Sequence, residues 1–254
     1  MTGPLLIDQR AGWVHLTLNR PQVRNALNTA LQAQLAQVLT GLAADPSCRA
    51  VLISGTGGHF AAGADITELA GTSGTQAAED PRKACWAAIR AFAKPLVAAV
   101  DGFCLGGGFE LALMADCMVL GATARLGLPE TNLGLIPGAG GTQRLTALAG
   151  RARAIRMVLT GELIDAATAV NWGIAGWSAD GPALPVAEAL TAHLAARAPL
   201  ALIAAKRAVL AAETAQSGGL ALERAAFEAL LDSADAREGI TAFREKRLPV
   251  FRGQ

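Results

Sequence analysis

Leu105-Gly106-Gly107-Gly108-Phe109-Glu110 marks the passage from a buried strand to a helix. Three successive glycines leave this junction without side chains, so backbone N–H groups are exposed at the positive end of the helix. Donors placed in this way stabilise an oxygen on which negative charge develops. A glycine turn that serves only tight packing has the same sequence, so the triplet by itself leaves both interpretations open.

Glu110 follows the glycines inside a run of Phe, Leu, Ala and Met. A carboxylate embedded in apolar sequence is either paired or kept for proton chemistry. Its position in the first helical turn is equally typical of a capping glutamate. Glu110 is therefore a candidate catalytic residue with a structural alternative.

A second acid, Glu130, follows Leu126-Gly127-Leu128-Pro129 and precedes the glycine-rich segment at 134–145. Two carboxylates near glycine turns suit general acid–base chemistry on one bound water. The alternative for Glu130 is an ordinary solvent-facing residue at the start of a helix. A third segment, His59-Phe60-Ala61-Ala62-Gly63-Ala64-Asp65-Ile66, again has small residues before a helix start, where Asp65 suits an N-cap on a surface loop.

Short strands and helices alternate on both sides of these turns and predict an α/β fold with helices covering the strands. Strands are predicted at 13–18, 50–53, 96–100 and 117–120, and helices at 28–43 and 109–113. Beyond about residue 185 only helical periodicity remains, at 187–197, 200–215, 220–231 and 236–247. Residues 71–75 are predicted to form a flexible loop tip.

The bulk composition excludes several classes of protein. With 254 residues, 52% hydrophobic and 17% charged, the chain is globular and long enough for a large core. A net charge of +1 without a basic block argues against nucleic acid. No apolar run approaches the roughly 20 residues that span a bilayer, and no signal peptide begins the chain, so we expect a cytoplasmic protein. The four cysteines show no disulfide or metal spacing, and no metal is expected.

Taken together and in order, these segments resemble the crotonase superfamily (the enoyl-CoA hydratase/isomerase family) over nearly the whole chain. The likeness extends to further motifs at 18–21, 25–28, 60–65, 136–145, 238–239 and 243–247. The resemblance implies a crotonase-like spiral of ββα units with the acyl-CoA site at 1–195. It also implies a helical oligomerisation region at 196–254 that builds a homotrimer or homohexamer.

The resemblance also implies roles for particular residues. The backbone amides of Ala64 and Gly107 would form an oxyanion hole for the thioester carbonyl, and Glu110 and Glu130 would hold a water between them. The amide of Gly138 would help to position that water. The residues implied to bind the CoA ester are Ala62, Ala64, Asp65, Ile66, Thr67, Gly107 and Lys246. No cofactor is implied, because coenzyme A is part of the acyl-CoA thioester substrate.

Because both acids are present, hydration of a trans-2-enoyl-CoA to a 3-hydroxyacyl-CoA is the function that the resemblance favours. The nearest likeness is to bacterial enoyl-CoA hydratases, including the 2,3-dehydroadipyl-CoA hydratase type. Two alternatives stay open. One is another crotonase-type reaction, either isomerisation or a dehydratase or lyase reaction on a specialised acyl-CoA; the other is a CoA-binding assembly protein.

Overall fold

Two β-sheets and a set of covering helices make up the computed structural model, which describes residues 3–70, 73–197, 199–211, 225, 227–229 and 231–249. The strands are β1 (Leu5–Arg10), β2 (Trp13–Leu18), β3 (Ala50–Gly55), β4 (Leu96–Val100), β5 (Phe103–Leu105), β6 (Cys117–Leu120), β7 (Arg125–Gly127), β8 (Ile164–Asp165) and β9 (Trp177–Ser178). The helices are α1 (Thr29–Ala44), α2 (Ile66–Leu69), α3 (Gly74–Ala78), α4 (Arg82–Arg90), α5 (Gly107–Ala112), α6 (Gly141–Ala149), α7 (Arg151–Thr160), α8 (Ala166–Asn171), α9 (Leu184–Ala195), α10 (Pro199–Ala211) and α11 (Ala234–Glu245).

The chain alternates between the two sheets as it advances. The larger sheet has the order β1-β2-β3-β4-β6-β9, and the smaller has the order β5-β7-β8. After the β1–β2 hairpin, every neighbouring pair in the larger sheet is parallel. Strand β4 lies in the larger sheet and the next strand, β5, in the smaller; β6 and β7 repeat this step. This repetition confirms the predicted α/β class and the spiral of ββα units.

Local sequence explains why the central elements form where they do. Strands β3 and β4 are almost entirely buried, as their continuous apolar runs predict for a sheet covered on both faces. Helix α1 begins after Asn28, whose side chain accepts a hydrogen bond from the N–H of Leu31 at 3.0 Å. Its apolar face packs into the main core through buried leucines, namely Leu31, Leu35, Leu39 and Leu42.

The helices after residue 180 agree with the predicted segments to within a few residues where the structure describes them. Helix α9 covers the larger sheet, and α10 is fastened to the core by Lys206, whose Nζ lies 2.8 Å from Asp116 Oδ2. Most of the helix predicted at 220–231 and the end of the one at 200–215 lie outside the described residues. The proposed boundary between 1–195 and 196–254 stays a prediction.

The predicted loop tip at 71–75 is wrong in its second half. Gly74 and Thr75 begin helix α3, and the N–H of Gly74 donates to Asp232 Oδ1 at 2.6 Å. That contact with a residue far along the chain fixes a glycine that sequence alone would place in a loop, while 71 and 72 lie outside the described residues. Among the residues described, none of the helices has the length and apolar character that crossing a membrane demands.

Candidate active site

The three glycines at the start of α5 have different structural roles. Gly106 precedes the helix with a φ of 49°, a conformation that suits glycine, and a Cβ at Gly108 would collide with the carbonyl oxygen of Ala61. Gly107 has neither constraint, because a Cβ there would meet no atom closer than 3.5 Å. Backbone conformation therefore explains the glycine at 106, and packing explains the one at 108. Neither reason applies to Gly107.

The amides of Ala64 and Gly107 lie close together. A Cβ added at Gly107 would stand 3.5 Å from the amide nitrogen of Ala64. Bridges between Leu27 and Ala64 and between Ala61 and Cys104 hold the two segments side by side. Across the described residues, neither N–H donates a hydrogen bond to the protein. The structure thus brings the two predicted donors together, with both N–H groups available to a ligand oxygen.

Glu110 is 4% exposed, and its carboxylate is held by the start of helix α6. Its Oε1 accepts hydrogen bonds from the N–H of Ala139 at 2.7 Å and of Gly141 at 2.9 Å. Gly140, in the left-handed conformation, turns the chain so that these amides point at the acid. Glu110 is therefore oriented by two backbone donors that the sequence did not identify, although the glycine-rich turn that supplies them was noticed.

Glu130 lies in a short 3-10 helix, Pro129–Leu133, and its carboxylate is directed at the glycine turn. A Cβ at Gly106 would be 3.0 Å from Glu130 Oε1, and one at Gly107 would be 3.9 Å from Glu110 Oε2. The two acids therefore approach consecutive residues of the same turn. Glu130 is half-buried, and its Oε2 is shielded from solvent.

One cavity of about 120 Å³ connects these groups. Its wall includes both acids, the two amide-bearing residues, and Ala62, Ile66 and Gly138. A second part of the wall comes from α1 and from the region around α4, through Gln32, Asp80, Arg82 and Trp86. The cavity can thus hold one molecule against two amide donors and two carboxylates at once.

Not every predicted binding residue lines this cavity. Asp65 and Thr67 form the N-cap of α2, and Asp65 also pairs with Arg20 Nη2 at 2.9 Å. Burial alone raises the pKa of the Asp65 carboxyl, but hydrogen bonds from Thr67 and Arg20 outweigh it and hold the pKa below its usual value. Lys246 is exposed just after α11 and is not one of the residues that line the cavity, so its binding role stays a prediction.

Gly138 packs closely against an aromatic ring. A Cβ there would lie 2.8 Å from the ring of Phe227, which also lines the cavity. The close approach explains the glycine, and the predicted role of its amide in holding a water stays a prediction. Within the described part of the chain, no group of three or more His, Cys, Asp or Glu side chains is placed to hold a metal ion.

Comparison with protein-family models gives a match over nearly the whole chain. The model described as enoyl-CoA hydratase/isomerase matches residues 8–254. The chain belongs to this family. This membership confirms the resemblance to the crotonase superfamily that the motifs indicated, and it accounts for the ββα spiral around the site.

Relatives of this enoyl-CoA hydratase/isomerase family member are similar over nearly their full lengths. The 2,3-dehydroadipyl-CoA hydratase of Escherichia coli is 45% identical, with 98% of this chain and 99% of that protein aligned. The crystal structure of an enoyl-CoA hydratase from Mycobacterium avium subsp. paratuberculosis is 31% identical, with a TM-score of 0.88 and coverage of 99% and 100%. The carnitinyl-CoA hydratase from Mycobacterium avium is 35% identical, with a TM-score of 0.88 and coverage of 99% of both chains.

Proposed function

We propose that this family member is an enoyl-CoA hydratase, which adds water reversibly and syn to a trans-2-enoyl-CoA and yields a 3-hydroxyacyl-CoA. The observation that carries the proposal is the approach of two carboxylates, Glu110 and Glu130, to a glycine turn beside Ala64. Among the described residues, the N–H groups of Ala64 and Gly107 donate to no protein acceptor. Curated relatives named as hydratases support the same reaction.

The two amides act on the thioester. Its carbonyl oxygen accepts hydrogen bonds from the N–H groups of Ala64 and Gly107, which withdraws electrons from the conjugated double bond and makes C3 electrophilic. As water attacks C3, negative charge moves through C2 to the thioester oxygen, where both amides stabilise it. A single donor in such a site contributes about 10²–10³ in rate.

The two acids move the protons. One of Glu110 and Glu130 accepts a proton from the water as its oxygen bonds to C3, and the other delivers a proton to C2. The product gains OH at C3 and H at C2, which leaves the first acid protonated and the second ionised. A proton then returns from the first acid to the second, and the site is ready for the next cycle. Because Ala139 and Gly141 fix one oxygen of Glu110, its carboxylate is oriented before the substrate arrives. Each acid or base typically contributes about 10²–10⁴ in rate.

The other reactions considered make different demands on the site. An isomerase shifts a proton between C2 and C4 and needs no water between two acids, whereas the two acids here flank one turn. The carnitinyl-CoA hydratase among the similar structures is the observation that keeps a specialised acyl-CoA as a second candidate substrate.

A panel of substrates tests the proposal with the purified chain. We expect trans-2-enoyl-CoA esters to lose the absorbance of the conjugated thioester and to give 3-hydroxyacyl-CoA identified by mass. Trans-3-enoyl-CoA esters of the same lengths should react far more slowly. Efficient conversion of the 3-enoyl esters with no hydration would make the chain an isomerase, and no turnover of any ester would favour a CoA-binding protein.

The assembly and compartment belong to the same proposal. We expect a homotrimer or homohexamer, because large apolar side chains such as Leu159 (66% exposed) and Val209 (71% exposed) lie on the surface of one subunit. Sedimentation of the purified protein would contradict this if it gave the mass of a monomer. We also expect the protein to be cytoplasmic.

A further inference from the structure

Gln32 is a buried amide that has no hydrogen-bonding partner among the described residues. It is 3% exposed, lies on the second turn of α1, and lines the same cavity as the two acids. Its Oε1 is enclosed and its side-chain amide makes no hydrogen bond to any described residue. Whichever way the amide is turned, it offers one acceptor and two donors. A buried polar group left in this state points to a ligand that completes it.

Arg82 places a guanidinium in the wall of the same cavity. It is 8% exposed, and its Nε and Nη2 reach Oδ2 of Asp80 at 2.7 and 2.6 Å. Its third nitrogen, Nη1, donates to none of the described residues. A buried guanidinium is costly unless its donors are used. A wall that met only hydrocarbon would be better formed by apolar residues.

The position of these groups identifies which part of the substrate they meet. Gln32 and Arg82, here called the polar patch, come from α1 and α4. The two acids and the two amide donors come instead from α5, from the segment before α2 and from the 3-10 helix Pro129–Leu133. The hydrophilic body of coenzyme A must remain in contact with solvent. Enclosed side chains that share the cavity with the thioester site therefore face the acyl tail.

We infer that the acyl tail of the substrate ends in an oxygen-bearing group, a carboxylate or a hydroxyl, that the polar patch binds. The inference rests on the proposed function, because it names the substrate class of the same site. The terminal oxygen accepts hydrogen bonds from Arg82 Nη1 and from the Gln32 amide, and a terminal hydroxyl also donates to Gln32 Oε1. A methyl-terminated tail would leave all of these groups without partners.

A carboxylate and a hydroxyl at the end of the acyl tail would interact differently with the charges around the polar patch. A carboxylate makes the stronger, charge-assisted hydrogen bonds to Arg82. Asp80 already pairs with that guanidinium and repels a second negative charge. At least one of these two termini should therefore react better than a methyl terminus, and a comparison of the substrates ranks the two.

The test compares three trans-2-enoyl-CoA esters with six-carbon acyl chains that end in methyl, hydroxyl or carboxylate. We expect kcat/KM for at least one oxygen-terminated ester to exceed that of the methyl-terminated ester by about tenfold or more, roughly the effect of one buried hydrogen bond. The difference should lie mainly in KM. A methyl-terminated ester that reacts as well as both others would overturn the inference.

Gln32→Leu and Gln37→Leu form a matched pair, because Gln37 lies on the exposed face of the same helix. In Gln32→Leu the preference for the oxygen-terminated ester should fall about tenfold, while Gln37→Leu should keep the wild-type ratio. Arg82→Met provides a second variant and should lower the carboxylate ester most. A preference that survives both Gln32→Leu and Arg82→Met would show that the terminus binds elsewhere.

Binding measurements separate this inference from the proposed reaction. If none of the three esters is hydrated, the proposed function fails, and the saturated hexanoyl, hydroxyhexanoyl and adipoyl esters of CoA are compared by calorimetry. Tighter binding of an oxygen-terminated ester that is lost in Gln32→Leu would still support the polar patch. Equal affinities would show that Gln32 is solvated by water alone and would reject the inference.

Discussion

Replacing Glu110 by Gln is expected to lower kcat for hydration by about 10³-fold, within the range that a general acid or base contributes. The amide side chain is nearly the same shape, and its oxygen can still accept the hydrogen bonds from Ala139 and Gly141. It cannot exchange a proton with water or C2. Steady-state kinetics with crotonyl-CoA measure the loss, and the Kd for the ester should change little.

Glu130→Gln is the companion variant, with a loss of similar size expected. Because the two acids act on one water in one step, the double variant should lose little more than the worse single variant, not the product of the two losses. Multiplicative losses would mean that the acids act in separate steps. Wild-type turnover by Glu110→Gln would remove this residue from the reaction altogether.

Gly107→Ala is expected to lower kcat/KM by roughly 10²-fold, about the effect of losing one oxyanion-hole donor. The new methyl group would stand 3.5 Å from the amide nitrogen of Ala64, beside the place where the thioester oxygen must sit. The fold should survive, since the nearest atoms are at ordinary contact distances of 3.5–3.9 Å and alanine suits a helix better than glycine. Kinetics and thermal unfolding of the same preparation separate the two effects.

Gly41→Ala is the matched control for this substitution. Gly41 lies on the exposed face of α1, and a Cβ there would meet no atom within 4 Å. We expect up to about 1 kcal/mol of added stability from helix propensity and wild-type kinetics. Full activity in Gly107→Ala, with the fold intact, would show that the thioester oxygen is bound elsewhere.

Local patterns were sufficient to predict the parts of the structure that depend on neighbours in sequence. Continuous apolar runs predicted β3 and β4, since strands buried on both faces have no polar side. Asp65 was placed at a helix start because a short polar side chain there can accept from an N–H two or three residues ahead. The glycine triplet and both acids stood out in the local sequence, but their catalytic roles were implied only by the family resemblance.

Contacts between distant segments could not be predicted in this way. The amides that hold Glu110 come from residues 29 and 31 positions later in the chain, and they reach it only after the spiral brings α6 against α5. Gln32 is a polar residue on an otherwise apolar helix face, and nothing near it in sequence says that it faces a cavity. Asp65 and Thr67 form the cap of α2, and the CoA-binding role that the resemblance implied for them stays a prediction.

The most direct test of the site is a crystal structure of the Glu110→Gln variant with crotonyl-CoA bound. The thioester oxygen should lie about 2.7–3.1 Å from both the Ala64 and Gly107 amide nitrogens, the usual range for an oxyanion hole, with C2 and C3 between the side chains at 110 and 130. An ester whose carbonyl oxygen contacts neither amide, or whose double bond lies away from both side chains, would contradict the account.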